Sequence, residues 1–244
     1  MHDSTTSGST DPEPSADSVA GTIVLWDVDG TLVENAAVPG SLYHLALERT
    51  VGRDLEQLVG HQHGRTDAGI ILEALRAHGL DPELSETVRG HLQRLSEERY
   101  RSGERRTPAP GVMALLQRMT DRGWRSALLT GNSAGRARLK LTSAGFDPDA
   151  FDWAHSYFGD EDVERQALTR RAAADLRGNR VVVIGDTPRD GTAADAAGIP
   201  FIAVATGVHD VDELGRTSAV AVVADCAEGA DTLLDAVAAL RPLV

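Results

Sequence analysis

Apolar and polar positions along this chain follow two rhythms. Short apolar, partly β-branched runs occur at Thr22-Ile23-Val24-Leu25-Trp26, Ser126-Ala127-Leu128-Leu129, Val181-Val182-Val183-Ile184, Phe201-Ile202-Ala203-Val204-Ala205 and Val220-Ala221-Val222-Val223. Runs this short, apolar at successive positions, predict strands buried on both faces. A weaker strand candidate lies at 153–158. Helical spacing separates the runs. Val112, Leu115, Leu116 and Met119 share one face within 111–122, and the alanine-rich stretch 189–197 stops at Gly198-Ile199-Pro200. Such strands alternating with helices predict a parallel, doubly wound α/β sheet.

Residues 41–106 break that alternation. Stretches 41–51, 66–78 and 82–101 carry helical periodicity, with Ala68, Ile71, Leu72 and Leu75 on one stripe. Pro39-Gly40 and Thr107-Pro108-Ala109-Pro110-Gly111 read as connectors. The pattern predicts a helical domain of 39–107 inserted after the first strand of a Rossmann-like core made of 22–38 and 108–244. Residues 1–21 are rich in Ser, Thr, Asp, Pro and Gly; they carry Asp3, Asp11, Glu13 and Asp17 but no Lys or Arg. A disordered tail is expected there, without the basic start and apolar segment of a signal peptide.

Composition narrows the function. Asp and Glu number 37 against 24 Lys and Arg, for a formal net charge of −13 in 244 residues. That balance argues against nucleic acid and anionic membrane as partners, and no apolar run approaches the ~18 residues of a spanning helix. A single cysteine, Cys226, excludes a disulfide framework and a cysteine-rich zinc site. It fits a reducing compartment, so a cytoplasmic location is expected. Lys140 is the sole lysine and sits between two leucines, which excludes a Walker A loop.

The candidate chemistry lies at strand ends. The first strand runs into Asp27-Val28-Asp29-Gly30-Thr31-Leu32. Alternation along a strand would place Asp27 and Asp29 on one face, at the carboxyl end where open α/β sheets bind ligands. Paired carboxylates suit a divalent cation or acid/base work. A calcium loop is excluded, because Gly30 follows Asp27 too soon and a strand precedes it. The third apolar run ends in Gly185-Asp186-Thr187-Pro188-Arg189-Asp190, two further acids that can cap a helix or complete a Mg²⁺ site. The second ends in Leu129-Thr130-Gly131-Asn132, where a hydroxyl, a flexible amide and a side-chain amide could cradle a phosphate oxygen.

With these three segments the chain resembles the haloacid dehalogenase superfamily, over roughly 22–240. Asp27-Val28-Asp29-Gly30-Thr31 looks like its first motif, Leu129-Thr130-Gly131-Asn132 its second and Gly185-Asp186-Thr187-Pro188-Arg189-Asp190 its fourth. The insert resembles the small helical (C1-type) cap, and Gly64-Arg65-Thr66-Asp67 resembles phosphoglycolate-phosphatase-like members. The resemblance implies a Mg²⁺-dependent phosphomonoester hydrolase acting on a small phosphorylated metabolite, phosphoglycolate-like as the best single guess. Asp27 would be the nucleophile and Asp29 the acid/base. Asp27, the Asp29 main-chain carbonyl and Asp186 would hold the metal, with Asp190 nearby or bound through water. Thr130 and Gly131, with Asn132 beside them, would hold phosphoryl oxygens, and Arg65 would reach the substrate from the insert. The family also needs a cation against the nucleophile, usually a Lys after the third strand. The corresponding stretch, Gly159-Asp160-Glu161-Asp162-Val163-Glu164-Arg165, has none, which leaves Lys140 as the leading candidate and Arg165 as the second.

Rival readings stand beside this one. A phosphomutase of the same fold would return the phosphoryl group to a sugar. Gly131-Asn132-Ser133-Ala134-Gly135 matches the G-x-S-x-G nucleophile elbow, with Asp186 and His209 following in the order of a serine α/β-hydrolase. A catalytically silent binding module is the third. His61 and His63 read as solvated, Trp26 as core, and Tyr43 or His44 as possible cleft residues. The acidic run Asp160-Glu161-Asp162 reads as a solvated turn.

Overall fold

The computed structural model describes residues 21–35, 41–57, 63–160 and 162–244. The expected disordered tail, apart from Gly21, and the reading of His61 lie outside them. Among the described residues six strands form one parallel sheet: β1 (Thr22–Trp26), β2 (Arg125–Thr130), β3 (Tyr157–Phe158), β4 (Arg180–Gly185), β5 (Phe201–Val204) and β6 (Ala221–Val223). Their order is β3-β2-β1-β4-β5-β6.

Both faces of the sheet are covered, as the unbroken apolar runs require. Ile23 and Leu25 face α6 (Arg165–Asp175) and α7 (Pro188–Ala196), packing with Leu168, Ala172 and Ala194. Val24 and Trp26 face α4 (Val112–Thr120), α5 (Ala134–Ser143) and α9 (Ala230–Ala238), packing with Leu115, Leu141 and Leu233. Trp26 is fully buried, and its indole N–H donates to Ser126 Oγ at 3.3 Å. A four-residue helix, α8 (Val211–Leu214), precedes β6.

The weak candidate at 153–158 resolves into a 3₁₀ turn, Trp153–His155, followed by the two-residue β3. Trp153 stacks on Phe158, and Trp153 Nε1 donates to Pro148 O; these local contacts order the turn ahead of the short ladder that Tyr157 and Phe158 form with Leu129 and Thr130.

Between β1 and α4 lie α1 (Leu42–Val51), α2 (Asp67–Ala77) and α3 (Ser85–Arg101), the last entered through a 3₁₀ turn at Pro82–Leu84. They pack around a separate apolar cluster of Ala46, Leu47, Ile71, Leu75, Val88, Leu92 and Leu95. Leu72, expected on the buried stripe, is only half-buried, and Ile70 is buried in addition to Ile71 and Leu75.

The strand order sets the site. The chain goes outward from β1 to β2 and β3, then crosses back to β4 on the other side of β1, so a crevice opens where the order reverses. Asp27 follows β1 and Asp186 follows β4. The ladder pairs Trp26 with Ile184, and the Asp27 amide donates to Ile184 O at 2.9 Å. Two acids more than 150 residues apart are thereby held side by side.

Candidate active site

Two charged clusters meet at the carboxyl ends of β1, β2 and β4. In the first, Asp27, Asp186 and Asp190 each present a buried carboxylate oxygen, with the three oxygens within 4.8 Å of one another. Arg165 closes this cluster from the start of α6. Its guanidinium lies 3.1 Å from Asp27 Oδ1 and 2.5 Å from Asp190 Oδ1, and it donates to Leu129 O at 2.9 Å. In the second cluster, the Lys140 ammonium donates to Asp29 Oδ1 (2.7 Å), Asp29 Oδ2 (2.5 Å) and Asn132 Oδ1 (2.7 Å). Asn132 Nδ2 donates to Asp29 Oδ2 and to Thr130 Oγ1, each at 2.8 Å.

The two acids at the end of β1 therefore part. Strand alternation would have kept them on one face, but the strand ends at Trp26 and the chain turns over on itself. The amides of Leu32 and Val33 both reach Val28 O, and Gly30 takes φ +80°. Asp27 turns toward Asp186, Asp190 and Arg165; Asp29 turns toward α5. Both sequence candidates for the active-site cation are present, with the aspartates divided between them: Arg165 sits on Asp27, and Lys140 sits on Asp29.

The first cluster suits a hard divalent cation. Three buried carboxylates face one guanidinium, and Asp186 Oδ2 is buried without a hydrogen-bond partner. A carboxylate oxygen left so is costly unless a cation or proton meets it. Burial is the largest influence on Asp27 and pushes its carboxyl up to about 6; Arg165 opposes this, while the charges of Asp190 and Asp29 add to it. Asp186 is held well above the usual carboxylate range by burial and then by Asp27 and Asp190. Asp190 is positioned by a capping box at the start of α7. Its Oδ2 accepts from Thr187 N (3.0 Å) and Thr187 Oγ1 (2.7 Å), leaving Oδ1 toward Arg165.

Several supporting residues are not apparent from strand-end motifs. Thr31 Oγ1 donates to Asp186 Oδ1 at 3.1 Å, and Thr206 Oγ1 donates to Gly30 O at 2.5 Å, tying the loop after β5 to the turn after β1. A Cβ at Gly207 would lie 1.7 Å from Asp186 Oδ2, and one at Gly30 2.2 Å from it, so both positions need glycine. Gly207→Ala is expected to displace the Asp186 carboxylate and weaken divalent-cation affinity by about 10- to 100-fold, as disturbed outer-shell partners do; titration calorimetry of both proteins measures this. Asp67 and Arg136 form a buried ion pair with Tyr43 bonded to both. In the sequence, Asp67 stands out as the last residue of Gly64-Arg65-Thr66-Asp67 and Tyr43 as a cleft candidate; Arg136 carries no signal there.

Other candidates fall elsewhere. Arg65 pairs with Glu73 at 2.5 Å and borders a cavity of about 980 Å³ that opens between α2 and the starts of α6 and α7. Arg76, Arg165 and Arg189 share its wall, so the cavity adjoins the first cluster through Arg165. Gly131 holds its loop by close approach, since a Cβ there would lie 2.0 Å from Arg65 O. His44 pairs with Glu48, and Asp162 pairs with Arg171. The serine-hydrolase triad does not assemble. His209 pairs with Glu213, Asp186 takes the Thr31 hydroxyl, and no hydrogen bond joins Ser133, Asp186 and His209 among the described residues. The G-x-S-x-G match arises because small residues let the insert pack against this loop.

An all-parallel sheet in this order, with acids gathered at its switch point, defines a Rossmann-like α/β enzyme fold. A family model described as haloacid dehalogenase-like hydrolase matches residues 22–198. The sequence is 30% identical to a phosphoglycolate phosphatase from Cereibacter sphaeroides over 215 residues, 80% of this chain and 92% of that one. It is 28% identical to another from Rhodospirillum rubrum, covering 86% of this chain and 90% of that one. Among solved structures, a hydrolase from Pseudomonas syringae superposes with TM-score 0.64 at 20% identity, covering 88% and 98% of the two chains. The CbbY protein from Rhodobacter sphaeroides, solved with phosphate, superposes with TM-score 0.59 at 22% identity, covering 85% and 95%. The chain belongs to the haloacid dehalogenase-like hydrolase family, and its sequence sets it with that family's phosphatases. No helix among the described residues is long and apolar enough to cross a membrane.

Proposed function

We propose that this protein is a Mg²⁺-dependent phosphomonoester hydrolase that passes through an aspartyl-phosphate on Asp27. The observation that carries the reading is the buried meeting of Asp27, Asp186 and Asp190 around Arg165, beside the separate Asp29–Lys140 pair. Asp27, Asp186 and the Asp29 carbonyl would hold Mg²⁺, with Asp190 beside it. When bound, the metal would offset repulsion between the carboxylate nucleophile and an anionic phosphoryl group.

In the first step an Asp27 carboxylate oxygen bonds to phosphorus while the bond to the leaving oxygen breaks, and Asp29, which takes up a proton once the phosphoryl group draws the Lys140 ammonium from it, gives that oxygen the proton. In the second, Asp29 takes a proton from water as the water oxygen bonds to phosphorus and the Asp27–phosphorus bond breaks. Arg165 keeps Asp27 ionised and oriented. The Thr130 hydroxyl and Gly131 amide hold phosphoryl oxygens. The helices of 39–107 act as a cap that excludes bulk water from the phosphoenzyme. The phosphoglycolate phosphatases at 28–30% identity make a small phosphorylated acid the first substrate to test.

The test is phosphate release from an aryl phosphate and from a metabolite panel including phosphoglycolate, with Mg²⁺ and with EDTA. Release that EDTA abolishes supports the reading. Transfer of the phosphoryl group to a sugar in place of release would mark a mutase, and inactivity across the panel would mark a silent module.

Metal binding is expected to depend on pH. Mg²⁺ must displace protons from carboxyls whose pKa is raised, so its affinity falls as pH drops through about 6, the value for Asp27. Calorimetric titrations at pH 7.5 and 5.5 should show roughly tenfold weaker binding at the lower pH, with protons released on binding.

A further inference from the structure

A buried carboxylate helps fasten the insert to the core. Asp67, the first residue of α2, is 1% exposed. Its Oδ2 accepts from the Ser133 amide at 2.9 Å; its Oδ1 accepts from Tyr43 Oη at 2.7 Å and from the Arg136 guanidinium. Ser133 is the N-cap of α5, and its own side chain makes no capping bond. A carboxylate from the insert therefore supplies the acceptor and the negative charge that the start of this core helix needs.

The same turn is tied to the phosphate-cradle loop and to the stretch after β3. The Asp67 amide donates to Gly131 O at 2.6 Å, the Ala68 amide to Gly159 O at 3.1 Å, and Thr66 Oγ1 to Val163 O at 2.8 Å. Arg136 extends the tie to α3, donating to Ser96 Oγ at 3.3 Å, and lies against the Tyr43 ring. Four residues further along α5, on the same helix face, stands Lys140 with its three bonds to Asp29 and Asn132.

We propose that Asp67 and Arg136 are positioning residues: through them, docking of the insert sets the start of α5 and so places Lys140 and the Thr130–Asn132 loop in register with Asp29. Among the described residues neither touches Asp27, Asp29 or Asp186 through a hydrogen bond or ion pair. Their contacts run through Ser133 and the helix that carries Lys140, and their opposite charges also act at range, Arg136 on Asp29 and both on Lys140. The insert thus completes the catalytic geometry in addition to covering it. The kinetic part of this inference rests on the phosphatase reading above; the structural part does not.

Asp67→Asn alone leaves Arg136 buried without its counter-charge and can fail to fold. The double variant Asp67→Asn/Arg136→Gln removes both charges and keeps a neutral amide pair. For the folded double variant, kcat should fall about 10- to 100-fold with KM changed far less, the cost of a small misplacement of catalytic groups. Amide exchange across 131–136 should quicken at least about tenfold, because the Ser133 amide loses its charged acceptor. Tyr43→Phe, which removes one bond to Asp67, should give the same changes on a smaller scale. Wild-type kcat in the folded double variant, or a lowered Tm with kcat intact, overturns the proposal, as does unchanged exchange at 131–136. Should the wild-type protein release no phosphate from any substrate, the phosphatase reading falls, and the exchange measurement decides the positioning role by itself.

Discussion

Asp27→Asn is expected to lower phosphate release by at least about 10⁴-fold, the scale on which loss of a nucleophile acts, while the fold stays intact. The stability half of this expectation has a definite sign. Burial raises the Asp27 carboxyl to about 6, above its unfolded value of 3.8. In metal-free protein the ionised group therefore works against folding at pH 7.5, and that penalty fades as pH falls through about 6. Asparagine carries no such charge, and Arg165 keeps Asp190 at 2.5 Å. The metal-free variant should accordingly melt no lower than the wild type at pH 7.5, and its Tm should respond less to Mg²⁺. Phosphate release above one part in about 10² of wild type would remove Asp27 from the role. A collapse of Tm would show that the acid holds the fold and does not merely serve the chemistry.

Lys140 should prove nearly as indispensable, through a different group. Burial by itself would raise Asp29; the Lys140 charge, its hydrogen bonds and that of Asn132 outweigh burial and hold the carboxyl well below the usual range. Lys140 is lowered in turn, by burial first, with Asp29 opposing. A carboxyl held so firmly ionised has no proton to give; it can take one up, and then serve as the acid, only once the ammonium is drawn elsewhere, and an incoming phosphoryl dianion is a suitable competitor for it. Lys140→Ala should cost about 10²- to 10⁴-fold in kcat/KM, the usual range for disabling acid/base catalysis. In the free enzyme the pH at which Asp29 titrates should move up, because burial then acts unopposed by the ammonium; the pH dependence of kcat/KM reads this. Lys140→Arg should not restore activity. One ammonium nitrogen serves three oxygens from a single point here, at 2.5 to 2.7 Å, and a planar fork cannot take that position. Near-wild-type rates in the arginine variant would mean that only the charge matters.

Much of the core was legible because buried parallel strands leave an unmistakable pattern: Val181 to Ile184 and Ile23 to Trp26 are apolar at every position and lie at 0–1% exposure. The strand-end acids were legible for the same reason, since a polar residue closing such a run has few structural uses. Leu72 and the 153–158 segment were read less well. The first lies beside a cavity that the insert and core enclose together, and the second is ordered by side-chain contacts of Trp153 rather than by its own periodicity. The G-x-S-x-G match misleads because spacing alone does not distinguish a nucleophile elbow from glycines that admit a neighbouring backbone, as Gly131 admits Arg65 O.

The order of acids and apolar runs, with one lysine on the helix after Thr130, settled the layered fold, the end of the sheet that carries the site and the candidate residues, because local periodicity and strand polarity act over a few residues. Which carboxylate meets which cation was decided only in three dimensions. Asp27 and Asp29 are two residues apart, yet the turn at Gly30 sends one to Arg165 and the other to Lys140. The partnership of Asp67 with Arg136 joins residues 69 apart on separate layers. Such pairings depend on backbone direction at the strand ends and on how the insert seats against the core, and these are properties of the packed chain that no window of sequence contains.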